Sequence, residues 1–213
     1  GFLCSISFKI DFFMLSKLTN DAVTGWYSAG ARLIEAILII PATVAIIFFP
    51  VISRLYKNSM DLFINMCRTF SIACVILSIP VALFLYLGAD LLVSFIFGAG
   101  FIKSVLVVKL LSFTLILFFL KYFLEKTALV MQRQIILLIA YLGGIVLKVV
   151  LNFIFIPLFS YNGAALSTLV TEFFIVAYIL LHIKMRLPLL KAEFLQKGLA
   201  AKLPLFYEET RKP

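Results

Sequence analysis

Six runs of mostly apolar residues, each about as long as a bilayer-crossing helix, constrain this chain more than any other feature. A span needs roughly 20 apolar residues at about 1.5 Å rise each. The runs are predicted at Phe2–Leu18, Gly25–Phe49, Phe70–Leu87, Val105–Tyr122, Ile135–Ile156 and Ala164–Leu181. The first is the shortest and carries Lys9 and Asp11. Between the runs lie short connections with turn residues, among them Thr19-Asn20-Asp21, Gly98-Ala99-Gly100 and Ser160-Tyr161-Asn162-Gly163. Pro50 and Pro157 are read as ends of spans. Pro41 and Pro80 fall inside spans and are expected to bend them.

Composition agrees with the pattern. Of the 213 residues, 64% are hydrophobic and 14% charged, and the mean hydropathy is +1.16. A water-soluble fold of this size has too much surface to hide that much apolar side chain. The expected fold class is therefore an all-α integral membrane protein, a six-helix transmembrane bundle over residues 1–186. A cytoplasmic basic tail follows at 187–213, where Lys191 to Lys202 could form a surface helix. The run opens at Gly1 with no charged leader ahead of it. A piece of a longer protein is the expectation.

The net charge of +9 does not point to nucleic acid, because the basic residues sit between the apolar runs and in the tail. Thirteen Lys and Arg fall on one set of connections and the tail, and two on the other set. The excess of basic residues on cytoplasmic segments then places the beginning of the chain and its C-terminus in the cytoplasm. Cys4, Cys67 and Cys74 lie in or beside apolar runs without metal-ligand spacing, and read as packed or lipid-facing thiols. No cofactor or metal is expected. No glycine-rich phosphate loop, no His-Glu-x-x-His and no Ser-His-Asp set is present around the single histidine, so no catalytic residue is assigned.

Charge inside a membrane is costly and marks functional positions by default. The candidates are Lys9, Asp11, Arg32, Glu35, Lys148 and Glu172, with Asn152 one turn from Lys148. Counted from the outer ends of their spans, Asp11 and Arg32 lie about 10 Å deep, and Lys9, Glu35, Lys148 and Glu172 about 13 to 15 Å. Four spans thus bring charge to one layer, as a polar chamber within the bundle would require. The competing reading is a self-neutralised structural layer, in which Arg32 and Glu35 pair locally at a spacing of three. Lys109 is placed nearer a helix end and reads as a snorkelling residue. Lys121 and Glu125, four apart, read as an interfacial pair, and His182 as an interface residue.

Several segments resemble one known family. They are Asp11-Phe-Phe-Met-Leu15, the run from Ala22 through Trp26-Tyr27 to Glu35, Ile40-Pro-Ala-Thr43, and Phe49-Pro-Val-Ile-Ser-Arg-Leu-Tyr56. Further along are Leu92-Val-Ser-Phe-Ile-Phe-Gly98, Asn152-Phe-Ile-Phe-Ile-Pro157 and Tyr161-Asn-Gly-Ala-Ala through Glu172. In order and spacing these are similar to the oligosaccharide (O-antigen) flippases of the polysaccharide biosynthesis family, within the multidrug/oligosaccharidyl-lipid/polysaccharide exporters. The resemblance covers most of residues 11–186 and is to the second of that family's two six-helix lobes. It implies alternating-access movement of an undecaprenyl-pyrophosphate-linked oligosaccharide to the outer leaflet of a bacterial inner membrane, for lipopolysaccharide assembly. A first lobe would be a partner, with membrane lipids around both. Arg32, Lys9 and Lys148 would meet pyrophosphate or acidic sugars, while Asp11, Glu35 and Glu172 would pair or carry protons. Lys148 departs from the pattern, since the family often has Asn there. A related drug/cation antiporter, a membrane-bound enzyme of glycan assembly and a membrane scaffold are the alternatives.

Overall fold

The computed structural model describes the backbone of residues 2–209 and the side chains of residues 7–186. Cys4 and the side chains of the basic tail at 187–213 therefore lie outside the described residues. Seven α-helices follow one another: α1 Phe2–Leu18, α2 Asp21–Ile37, α3 Ile39–Asn58, α4 Met60–Phe97, α5 Ser104–Val130, α6 Gln134–Phe159 and α7 Tyr161–Glu209. A single 3₁₀ turn, Ala99–Phe101, sits between α4 and α5, and there is no strand among the described residues.

α2 and α3 are one span broken at Leu38, so Asp21–Asn58 forms a single apolar stretch of 38 residues. Five stretches are long and apolar enough to cross a membrane: Asp21–Asn58, Met60–Phe97, Ser104–Val130, Gln134–Phe159 and Tyr161–Arg186. The six expected crossings become five of full length plus α1. α1 has 17 residues, about 26 Å of helix, just short of the roughly 30 Å hydrocarbon core. The chain is an all-α, multi-pass membrane bundle.

Several helix ends lie further out than hydropathy indicated. α3 runs through Pro50 to Asn58, and α6 runs through Pro157 to Phe159. Neighbouring groups in a bundle can satisfy the one carbonyl each proline frees. Pro41 falls in the first turn of α3, where its missing N–H costs little, and the helical break sits just ahead of it at Leu38. α4 extends ten residues either side of its predicted span and contains Pro80. The connection predicted at 160–163 shrinks to Ser160 alone, held at φ 55° in the left-handed region. Asn20 caps α2 by accepting a hydrogen bond from the Val23 amide at 3.0 Å.

The bundle is organised around α5 and α7. In its most apolar stretch α5 is 61% buried and α7 50%, against 17% for α4, which leaves α4 as an outer helix. One core cluster gathers Leu15, Tyr27, Ile34, Leu111, Leu115 and Phe118 from α1, α2 and α5. A second gathers Ile52, Phe63, Phe123, Ala140 and Ile179 further along the same helices' neighbours. Where α2, the 3₁₀ turn and α7 meet, the Trp26 indole donates to the Gly100 carbonyl at 3.3 Å and packs edge-on against Tyr161. The Lys103 ammonium lies 4.1 Å from the Trp26 ring. Aromatic rings with one polar end suit the membrane–water interface.

Candidate functional site

Three facing turns build the polar centre. Ser7 and Asp11 lie four apart on α1, Lys148 and Asn152 four apart on α6, and Ser167 and Thr168 follow one another on α7, so each helix offers one polar face. Asp11 and Asn152 are fully buried, and Lys148 is 1% exposed. The Lys148 ammonium sits 2.8 Å from Asp11 Oδ2, and donates to Thr168 Oγ1 at 2.8 Å and Ser7 Oγ at 2.9 Å. Its three N–H groups are thereby all used. Asp11 Oδ2 also accepts from the Tyr27 hydroxyl at 2.5 Å and from Thr168 at 2.8 Å. Asn152 donates to Asp11 Oδ1 at 2.7 Å, and its own carbonyl oxygen accepts from Ser167. A buried charge is tolerable only when paired and hydrogen-bonded to this degree.

A second buried pair lies one turn further along α7. Glu172 Oε2 accepts from the Lys121 ammonium of α5 at 2.5 Å, and both side chains are essentially without exposure. Lys121 lies 4.5 Å from the Phe118 ring and 5.7 Å from the Tyr141 ring. The spacing of four from Glu125 predicts an interfacial position for Lys121. Instead it reaches across to α7, while Glu125 accepts from Tyr141 of α6.

Lys9, Arg32 and Glu35 belong elsewhere. They line a cleft of about 190 Å³ between α1 and α2, together with Phe8, Phe12, Tyr27, Ser28 and Ala31. Lys9 and Arg32 are exposed and Glu35 is half-buried. The local Arg32–Glu35 ion pair does not form. Among the described residues, salt bridges form instead between Lys148 and Asp11, Lys121 and Glu172, and Lys109 and Asp90. Lys109 thus has an acidic partner on α4, where snorkelling alone was expected, and both members are partly exposed.

The single charged layer therefore divides in two. Asp11, Lys148, Asn152 and Glu172 are sealed inside the bundle and do not open a chamber. Lys9, Arg32 and Glu35 face outward into a cleft. Tyr27 belongs to both, since its ring forms the cleft wall and its hydroxyl binds Asp11. Sequence reasoning missed Tyr27, Ser7, Ser167 and Thr168. The spacing of four between Ser7 and Asp11 on α1, and between Thr168 and Glu172 on α7, is the signal that each of these two helices carries a polar face. For Tyr27 no such signal exists.

Chemically, the sealed centre holds charge in place, and the cleft offers cations to an anion. The described residues hold no group of His, Cys, Asp and Glu arranged to bind a metal ion. No curated protein and no solved structure matches the chain. A family model described as polysaccharide biosynthesis protein matches residues 1–106, which include α1 to α4, the cleft and the Asp11 end of the buried centre. With its all-α membrane fold, the chain belongs to the polysaccharide biosynthesis protein family.

Proposed function

We propose that the protein is a flippase-type transporter that moves a polyprenyl-pyrophosphate-linked oligosaccharide across a bacterial inner membrane by alternating access. The observation that carries this reading is the α1–α2 cleft, where Lys9 and Arg32 are exposed within an apolar span and form no salt bridge among the described residues. Two such cations facing hydrocarbon would be strongly unfavourable, so that face fits a water-filled space. Guanidinium and ammonium groups there suit a diphosphate, with Arg32 able to bind two oxygens at once. Phe8 and Phe12 supply apolar surface beside them.

The space needs a second wall. A second transmembrane lobe opposite α1 and α2 would close it, while the apolar outer faces of α4 and α6 meet lipid. The undecaprenyl carrier, the role in O-antigen and lipopolysaccharide assembly and a cytoplasmic C-terminus belong to the same reading. The last of these is supported by the basic excess of Arg54, Lys57, Arg68, Lys126 and Arg133 on one side.

Glu35, half-buried beside two phenyl rings, favours one second reading, a drug/cation antiporter. Vesicle transport separates the two. Translocation of a pyrophosphate-linked polyprenyl sugar that is lost in Arg32→Glu supports the flippase. Export of lipophilic cations, lost in Glu35→Gln and indifferent to Arg32→Glu, supports the antiporter and overturns the first reading.

A further inference from the structure

The corner where α2, the 3₁₀ turn and α7 meet belongs to neither the sealed centre nor the cleft. Trp26 sits there half-buried. Its indole N–H is taken by the Gly100 carbonyl at 3.3 Å, and Tyr161 meets its ring at 72° with centroids 5.8 Å apart. The Lys103 ammonium lies over the ring, 4.1 Å from its centroid. A tryptophan that only anchors a bundle in the headgroup layer turns its N–H outward, to water and lipid. Here the N–H is used inside the protein, which holds the ring as a fixed platform.

Unmet hydrogen-bonding capacity gathers at the same corner. Ser104, next to Lys103, is fully buried, and its hydroxyl has no hydrogen-bond partner among the described residues. The side-chain carbonyl oxygen of Asn162, next to Tyr161, is buried in the same condition. Ser104 packs on the Trp26 side of α2, since a Cβ at Gly30, one turn on from Trp26, would lie 3.5 Å from the Ser104 carbonyl oxygen. Buried polar atoms without partners are uncommon and call for an explanation. The Asn162 oxygen is an acceptor and needs a donor. An ionised lipid phosphate has no hydrogen to give, whereas a sugar hydroxyl both gives and accepts.

Lys103 adds charge to this set. It is exposed and forms no salt bridge among the described residues. At an exposed site a cation–π contact is weaker than a charge-assisted hydrogen bond to a carboxylate, so an arriving carboxylate draws the ammonium off the ring. The face it leaves is negative, and the weakly positive C–H groups on one side of a sugar ring pack on such a face.

We propose that Trp26, Lys103 and Tyr161, with Ser104 and Asn162 behind them, form a saccharide-binding subsite for a sugar that carries a carboxylate. Lys103 moves from the ring to the carboxylate, the sugar packs on Trp26, and its hydroxyls supply the hydrogen bonds that Ser104 and Asn162 lack. Lys103 precedes α5, whereas Lys126 and Arg133 lie at and beyond the other end of that helix. The corner is therefore on the outer side in the orientation proposed above. The inference deepens the transport reading and rests on it for the source of the sugar, not for the binding itself.

Trp26 is the single tryptophan of the chain, so intrinsic fluorescence reports on this corner alone. The full chain in phosphatidylcholine nanodiscs is titrated with a trisaccharide of uronic acids and with a neutral trisaccharide of the same linkage. The uronate should change the emission saturably, and the neutral sugar should bind about tenfold more weakly, the scale of one charge-assisted hydrogen bond. Lys103→Gln should weaken uronate binding by the same factor, and Lys126→Gln, at the far end of α5, should leave it unchanged. The proposal is overturned by no saturable response to the uronate, by equal binding of the two sugars, or by uronate binding that Lys103→Gln leaves intact or that Lys126→Gln weakens as much. It is also overturned if the emission responds only when phosphatidylglycerol replaces phosphatidylcholine, which assigns the corner to lipid headgroups. Binding is read without transport, so Arg32-dependent translocation alongside a silent Trp26 would remove the subsite and leave the transport reading standing.

Discussion

At the residue scale, the Asp11–Lys148 pair behaves as a unit because each charge has been removed from water and answered only by the other and by four hydroxyl or amide groups. Removing one member strands the other. Lys148→Met should destabilise the protein by about 3–5 kcal/mol, whereas a buried pair replaced on both sides is often nearly neutral. Asp11→Asn combined with Lys148→Met should therefore cost less than Lys148→Met alone. Thermal unfolding in lipid nanodiscs measures this, and strictly additive losses would refute the coupling. Tyr27→Phe keeps the cleft wall but removes a donor to a charged acceptor, with an expected loss of about 1.5–3 kcal/mol in the same assay; a change near zero would mean that the hydroxyl is dispensable. The sequence made Asp11, Lys148 and Asn152 visible because charge and amide are conspicuous in apolar runs. Tyr27 stayed hidden because a tyrosine in a hydrophobic span is usually packing or interface, and only the three-dimensional fold brings it to Asp11.

At the element scale, the helices were legible as apolar runs and their ends were not. Hydropathy reports where lipid contact stops, whereas hydrogen bonding decides where a helix stops. Thus α4 continues through polar residues at both ends to Met60 and Phe97, about 57 Å of helix, and Pro50 and Pro157 sit within helices. The α6–α7 turn is tighter than its polar residues indicated. A Cβ at Gly163 would overlap the Phe155 carbonyl, which is backbone and cannot step aside. At Gly144 a Cβ would instead meet the flexible end of Ile175 at 2.7 Å. Gly144→Ala should therefore cost about 1–3 kcal/mol, typical of overpacking. Gly163→Ala should cost more and lower the yield of folded protein. Equal unfolding temperatures for the two variants would contradict this account of the turn.

At the scale of the whole molecule, the intramembrane charges were legible as a layer but not as two compartments. Depth along a helix can be counted from sequence. The direction a side chain faces around the bundle depends on which helices pack together, and α1 lies against both α2 and α6. Lys9 and Asp11, two residues apart, consequently point to different places: Lys9 to the cleft, Asp11 to the sealed centre. Lys121 pairs across α5 and α7 for the same reason, against a local reading based on spacing. The orientation of the bundle has its own test, since a reporter fused beyond Pro213 should be active only in its cytoplasmic form.

The division between an open cleft and a sealed centre is the claim on which the functional reading depends. Single serine-to-cysteine changes probe it with little disturbance, in a chain whose Cys4, Cys67 and Cys74 are replaced by alanine. Ser28 lines the cleft, and Ser167 is fully buried against Asn152. The cysteine at Ser28→Cys should react with a membrane-impermeant, water-soluble thiol reagent, and that at Ser167→Cys should stay protected under the same conditions. Protection at position 28 together with ready labelling at position 167 would contradict the account.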